Sequence, residues 1–352
     1  MLRCTISGNP MPASANKPLL IDLALQGGGS HGAFTWGVMD RLIEEPGLQI
    51  EGISGTSAGA MNAAVMVSGF EHGGVEGAKA ALETFWKATA DGGRFSPLQR
   101  GPLALLSGKW TLENSPIYMG FEMMSRMFSP YDLNPLNAHP LRAILDETVD
   151  FACLATARLR LFITATNVRT GAGRIFRNAE ITPDVLIASA CLPTMFQAVE
   201  IDGEHYWDGG YVGNPTITPL VRETDSHDTI LVQINPIVRD AVPRSAREIL
   251  NRLNEVAFNA PLVKELRMIA LLNKVADVGD GEGARWAQMR IHRIASDRVD
   301  EVDSSSKLIT EWPFLCGLRD EGRRTAGLFL DAHAGDLGQR STVDLDALLA
   351  TL

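Results

Sequence analysis

The chain has 352 residues, enough for one large domain or two ordinary ones. Apolar residues make up 45% and charged residues 21%, which is ordinary globular usage. Its 32 basic and 42 acidic residues leave a net charge of −10, which argues against nucleic acid as a partner and offers no polybasic attraction to anionic lipid. Cys4, Cys153, Cys191 and Cys316 lie far apart in no metal or redox spacing and read as reduced thiols of a cytoplasmic protein. No basic region followed by an apolar core opens the chain, so no signal peptide is expected.

Residues 1–18 are polar, with Pro10 and Pro12, and read as a mobile tail. Residues 19–25 form a short apolar run typical of a buried parallel strand. It enters Gln26-Gly27-Gly28-Gly29-Ser30-His31-Gly32, after which Phe34, Val38 and Leu42 mark one side of a helix. The next strand, residues 49–54, leads into Gly55-Thr56-Ser57-Ala58-Gly59 and a second helix, so residues 19–68 read as β-α-β-α around a parallel sheet. The uncharged stretch 52–70 could be mistaken for a membrane span of roughly 20 residues. Its glycines, serines and asparagine suit a core strand–turn–helix instead.

A serine where a strand turns abruptly into a helix must take a strained conformation, and its neighbours at minus two and plus two must be glycine to avoid the adjoining backbone. That holds the Ser57 hydroxyl at the carboxyl end of the sheet, beside the free N–H groups of a helix N-terminus, as a nucleophile for acyl groups. The glycine run also fits a dinucleotide fingerprint. Against that, the Asp or Glu which the fingerprint wants roughly 20 residues on is replaced by the Gly55–Gly59 elbow. Backbone amides of a triple glycine can instead crowd around a developing oxyanion beside Ser57.

From residue 69 to 137 the pattern loosens. Residues 78–90 suit a helix. Residues 95–137, rich in Pro, Met, Phe, Tyr and Leu, suit either a lid or wall of an apolar acyl pocket or a helical insertion with its own core. A strand is expected at 159–168, returning at 174–176. Thr182-Pro183 should cap a helix running to Ala190. Asp202-Gly203 should join a type I′ hairpin over 199–207, which delivers Asp208-Gly209-Gly210 to a loop. A strand at 229–238, two helices at 244–259 and 262–278 divided by Pro261, a strand at 286–294 and a mostly helical 304–352 with a tail from Asp336 complete the reading. Residues 277–283 resemble a calcium loop only superficially and read as a flexible loop.

The three motifs Gly27–Gly32, Gly55–Gly59 and Asp208–Gly210, in this order, resemble the patatin-like phospholipase family, which includes plant patatin and the catalytic domain of cytosolic phospholipase A. The resemblance covers about residues 20–221. It implies an α/β/α three-layer sandwich with a mainly parallel sheet over 19–221. Residues 222–352 read as an extension that completes the sheet and adds helices, or caps the pocket. The resemblance also implies a serine–aspartate dyad: Ser57 the nucleophile, Asp208 the proton acceptor, and the Gly27, Gly28 and Gly29 amides the oxyanion hole. His31, Gly32, Gly55, Gly59, Gly209 and Gly210 are supporting residues. The sequence departs from the family at His31, where an arginine is usual.

No metal or organic cofactor is expected. The expected substrate is a phospholipid, lysophospholipid or other acyl ester, with any membrane contact peripheral and made by apolar loops of 95–137. A free aspartate, with a pKa near ~3.9, is a weak base for serine, so apolar surroundings, Trp207 included, must raise it. A conventional triad with His205, His292 or His333 is the rival mechanism. Rival functions are acyl transfer to another acceptor, a nucleotide-binding Rossmann protein using the Gly27–Gly32 run, and a catalytically silent lipid-binding protein.

Overall fold

A computed structural model describes residues 17–94, 96–275 and 281–350. The expected N-terminal tail, Cys4 and much of the 277–283 loop therefore lie outside the described residues. β1 (Leu19–Leu25) is buried along most of its length, as its apolar run predicts. α1 (Gly32–Leu42), β2 (Leu48–Gly55) and α2 (Ala58–Gly93) complete the expected β-α-β-α. α2 breaks at Gly73 and Gly74, and its two arms fold back on each other: Trp86 Nε1 donates to Asn62 Oδ1 at 3.0 Å. The second arm contains the helix expected at 78–90.

Five short helices follow: α3 (Pro102–Leu106), α4 (Pro116–Met127), α5 (Pro130–Leu133), α6 (Pro140–Thr148) and α7 (Phe151–Thr156). All but α7 begin on proline, whose missing N–H costs nothing at a first helical position. Then come β3 (Arg160–Asn167), β4 (Gly173–Arg177) and α8 (Pro183–Ser189). The Thr182 hydroxyl caps α8 by accepting from Val185 N at 3.3 Å. β5 (Val199–Ile201) and β6 (Glu204–Asp208) turn at Asp202 and Gly203, whose φ angles of +53° and +78° suit the type I′ geometry. The rest is α9 (Thr218–Glu223), β7 (Asp228–Val232), α10 (Ala246–Val275), α11 (Glu282–Ala287), β8 (Arg290–Ile294), α12 (Asp297–Asp300), α13 (Trp312–His333) and α14 (Leu345–Ala350).

All strands join one sheet in the order β5-β6-β3-β2-β1-β7-β8, with β4 pairing β3 off this path. β3, β2, β1, β7 and β8 run parallel, while β4, β5 and β6 are antiparallel additions. Side chains alternate between two cores. Leu23 and Leu25 of β1 face the layer of α1, α2 and α13, and Ala24 faces that of α9, α10 and α11. This is the three-layer α/β/α sandwich. The strand order reverses at β1, with β2 on one side and β7 on the other, so a crevice opens at their carboxyl ends, where open α/β sheets bind ligands.

Several expectations are corrected. The strand expected at 229–238 ends at Val232, and Pro236 beyond it has no N–H to give a ladder. The strand expected at 286–294 begins only at Arg290, because Trp286 closes α11 with its side chain buried. Pro261 does not divide two helices. α10 runs through it, pinned on both sides: Asn259 Nδ2 donates to Pro236 O at 2.9 Å, and the Glu265 carboxylate accepts from the Ile217 and Thr218 amides. These bonds outweigh the one helical hydrogen bond that proline removes. The expected tail from Asp336 is instead anchored, with Leu337 and Leu345 buried and Gly338 N donating to Asp228 Oδ1 at 2.9 Å. Residues 96–137 pack on the main core and form none of their own: Leu112 belongs to that core, Leu98, Trp110 and Tyr118 lie against it, and no residue of α4 is buried. Among the described residues no helix is long and apolar enough to cross a membrane, and the 52–70 stretch is the end of β2, its turn and the buried first arm of α2.

Candidate active site

The elbow is strained as its spacing demands. Ser57 sits between β2 and α2 at φ +54°, ψ −121°, a conformation that only strong surrounding constraints hold in a non-glycine residue. A Cβ on Gly55 would come within 2.7 Å of the Gly59 backbone, and one on Gly59 within 2.3 Å of Leu25 O. The first turn of α2 is thus pressed against the end of β1, with Ser57 at its N-terminus. The Ser57 amide is engaged by Ser189 Oγ at 3.0 Å, and that hydroxyl donates in turn to Thr164 O at 2.7 Å.

Asp208 ends β6, paired with Ala165 of β3, and is 3% exposed. Burial raises its pKa to about 7, against the lowering effects of the Gly210 amide, which donates to Oδ1 at 2.7 Å, and of the Ser57 hydroxyl. No hydrogen bond within 3.5 Å joins Ser57 to the carboxyl, although the hydroxyl is near enough to help hold its charge. Catalytic hydrogen bonds commonly tighten only once substrate is bound. The neighbours of Asp208 are Cys191 and Tyr211. Burial and the Asp208 carboxyl together push the Cys191 thiol up to about 12, and both also raise Tyr211. Trp207, expected to help, points away, since adjacent strand residues face opposite sides. Gly209 is pressed against Thr164 O and Gly210 against Phe258, where a Cβ would lie 2.1 Å from each. Only glycines let the Asp208 loop come this close.

The glycine loop follows β1. Gly27 is forced by the elbow itself, because its Cβ would meet Ser57 Cβ at 2.7 Å. Gly29 has φ +58°, and Gly32 opens α1 against Ala58. One expectation fails here. The Gly27 amide donates to Asn214 Oδ1 at 2.6 Å, so it is not free to meet an oxyanion. Among the described residues the Gly28 and Gly29 amides have no acceptor in the protein and remain available. His31 is buried and its Nε2 lies 2.7 Å from Ser306 Oγ. Burial, with Lys307 beside it, drops its pKa to about 3, so the ring is neutral.

Several residues at the site carried no sequence signal. Gln26 is wholly buried: its Oε1 accepts from the Ile234 and Asn235 amides, both at 2.9 Å, and its Nε2 donates to Asn214 O and Asn259 Oδ1. Asn235 Nδ2 donates to Gly27 O at 2.7 Å. Amides scattered over 200 residues have no pattern, and only their place in front of Gly27 or Pro215 could have drawn notice.

A pocket of about 330 Å³ opens over Ser57 and Gly29, with Met61, Phe85, Trp86, Ile144 and Phe196 in its walls. Ser96 and Leu98 line it from the 95–137 stretch, whereas α3, α4 and α5 do not. His139 stacks on Phe196 in the wall, and burial drops its pKa to about 4. The three histidines weighed for a triad lie elsewhere. His205 is exposed on β6. His292 is bonded to Asp228 on β8, three strands from β2. His333 is bonded to Asp336. Among the described residues no three His, Cys, Asp or Glu side chains gather as a metal site.

A three-layer sandwich with a serine elbow and a glycine loop at adjacent carboxyl ends of its sheet defines the patatin-like class of α/β proteins. The model of the patatin-like phospholipase family matches residues 23–221, more than half of the chain, and the chain belongs to that family of lipid acyl hydrolases. No curated protein matches the sequence. Among solved structures it is similar to VipD from Legionella pneumophila, with a TM-score of 0.38 and 14% identity, over 91% of this chain and 68% of that one.

Proposed function

We propose that the protein hydrolyses lipid acyl esters, as a phospholipase A, lysophospholipase or carboxylesterase, through a Ser57–Asp208 dyad. The observation that carries this reading is the Asp208 carboxyl beside the strained serine, buried and raised to about 7. A carboxylate with that affinity for protons can accept one from serine near neutral pH, where an ordinary aspartate would hardly do so. Ser57 Oγ attacks the ester carbonyl carbon and its proton passes to Asp208. The Gly28 and Gly29 amides receive the oxyanion. Collapse of the tetrahedral intermediate expels the alcohol, which takes the proton from Asp208 and leaves an acyl-serine. Water then gives a proton to Asp208 and attacks the acyl carbon. The fatty acid leaves and the proton returns to Ser57.

The apolar walls suit an acyl chain, and the dyad by itself needs no cofactor. No observation favours acyl transfer over hydrolysis. The nucleotide reading is disfavoured, because the end of β2, where a ribose-binding acid would stand, is the elbow. A fluorophosphonate probe tests the proposal directly. It should label the wild type and not Ser57→Ala. Ser57→Ala and Asp208→Asn should each lower esterase kcat at least ~1,000-fold, whereas His205, His292 and His333 variants that stay folded should retain it. Loss of turnover in any of those three would restore the triad.

A further inference from the structure

The glycine loop is gripped from outside the part of the chain that matches the family. Residues 304–308 form a 3-10 turn against it. Ser306 meets the His31 ring, and a Cβ on Gly29 would strike Lys307 O at 2.4 Å. Lys307 lines the same pocket as Ser57, Gly29 and Ser30. Its Nζ donates to Asn235 Oδ1 at 2.8 Å, and Asn235 holds the Gly27 carbonyl with its other side-chain atom.

No carboxylate pairs with this ammonium among the described residues. The acid that acts on it, Glu255, is already bonded to Arg239 at 2.7 Å and to Arg252 at 3.0 Å. Removing a lone cation from water costs several kcal/mol unless an anion repays it. Lys307, half-buried, bears that cost in the lining of the pocket where the proposed reaction creates a negative charge. His31, the nearest titratable residue of the loop, is neutral and contributes no charge there.

We infer that Lys307 is the positioning cation of the oxyanion hole. Through Asn235 it holds the glycine loop that carries the Gly28 and Gly29 amides, and its charge adds to theirs as the oxyanion forms. This rests on the acyl hydrolase reading above. The anion that completes the pair is the tetrahedral intermediate, not a group present in the resting enzyme, so the interaction is realised in the transition state. The charged groups facing Lys307 are Glu255 and Arg239, while His31 beside it is uncharged. Burial lowers its pKa below the ordinary 10.5. Its proton is therefore lost at a lower pH than from a free lysine, and activity should fall with it.

The test is steady-state kinetics on a neutral short-chain aryl ester, which has no phosphate, over a range of pH. Lys307→Met should lower kcat about 10- to 100-fold with KM nearly unchanged. Lys307→Arg should recover most of that loss and should lack the alkaline decline of the wild type, since guanidinium does not titrate. Thermal midpoints check that both variants fold. The inference is overturned if Lys307→Met keeps its kcat, or if Lys307→Arg is equally inactive. It is also overturned if the loss appears only in KM for a phospholipid, which would make Lys307 a head-group site. A wild type that neither turns over the ester nor labels at Ser57 would instead remove the acyl hydrolase reading itself.

Discussion

At the scale of single residues, the proposed chemistry turns on the Asp208 carboxyl, whose burial raises its affinity for protons. The same burial has a measurable cost. Asp208 ionises at about 7 when folded, against an ordinary 3.8. Between those values the native state keeps a proton that the unfolded chain has lost, so stability falls as pH rises from about 4 to about 7. Each pKa unit is worth about 1.4 kcal/mol, so the full penalty above pH 7 is about 4 kcal/mol. Asp208→Asn escapes it. The variant should be inactive yet more resistant to thermal unfolding than the wild type, with an advantage clearly larger at pH 8 than at pH 4. Activity has the opposite slope. Only the ionised carboxylate can accept the serine proton, so wild-type kcat/KM should climb tenfold per pH unit below about 7 and level off above it, until Lys307 loses its proton at alkaline pH. A flat profile from pH 5 to 8 would mean that Asp208 is not the base.

At the scale of elements, the elbow joins β1, β2 and α2 through backbones that touch where side chains would normally stand. Gly59 is the contact point, and the nearest atom to an added Cβ is a β1 carbonyl, not the end of a flexible side chain. Gly59→Ala should therefore cost at least about 1–3 kcal/mol by overpacking and abolish probe labelling by tilting α2. Gly47→Ala, at a turn with nothing within 4 Å, should change neither in a denaturant melt and a labelling gel. Elements of this kind were legible in the sequence because short-range rules determine them. Glycines flanking a serine, Asp-Gly in a hairpin and Thr-Pro at a helix start each follow from local sterics. α10 was misread for the opposite reason. Pro261 is a local signal, but Pro236, Ile217 and Thr218, which hold the helix together across it, are partners at long range. The strand expected through Trp286 failed similarly, since its apolar residues fill a short helix over the second core.

At the scale of the whole molecule, the sheet collects at one crevice residues that are far apart in the chain. Ser57 and Asp208 could be read from their motifs. Gln26, Asn214, Asn235 and Lys307 could not, because neither a buried amide nor a half-buried lysine has a periodic signature, and only the strand order brings β1 beside β7. The expected role of Gly27 failed on the same ground, since its amide is claimed by an asparagine 187 residues away. The surface shows a second large-scale feature. α4 has no buried residue, and Leu106, Met123, Met127 and Leu136 are 88%, 64%, 66% and 91% exposed. This stretch adjoins the pocket rim, where Gln197 Nε2 donates to Asn134 O at 2.7 Å and His139 stacks on Phe196. Its charges nearly cancel, Lys109 and Arg126 against Glu113, Glu122 and Asp132, in a chain of net charge −10. An apolar, near-neutral face beside the Ser57 pocket suits an uncharged or zwitterionic lipid surface, to which burial of apolar area and not ion pairing would bind it. The protein should therefore sediment with phosphatidylcholine vesicles, and equally well in low and high salt. Met123→Asp with Leu136→Asp should weaken that sedimentation by about tenfold or more, since each places a charge against hydrocarbon. Labelling of Ser57 by a small soluble probe should be unchanged in the same variant, because neither side chain lines the pocket. No sedimentation, or binding that vanishes with added salt or survives both substitutions, would remove this face as a lipid contact.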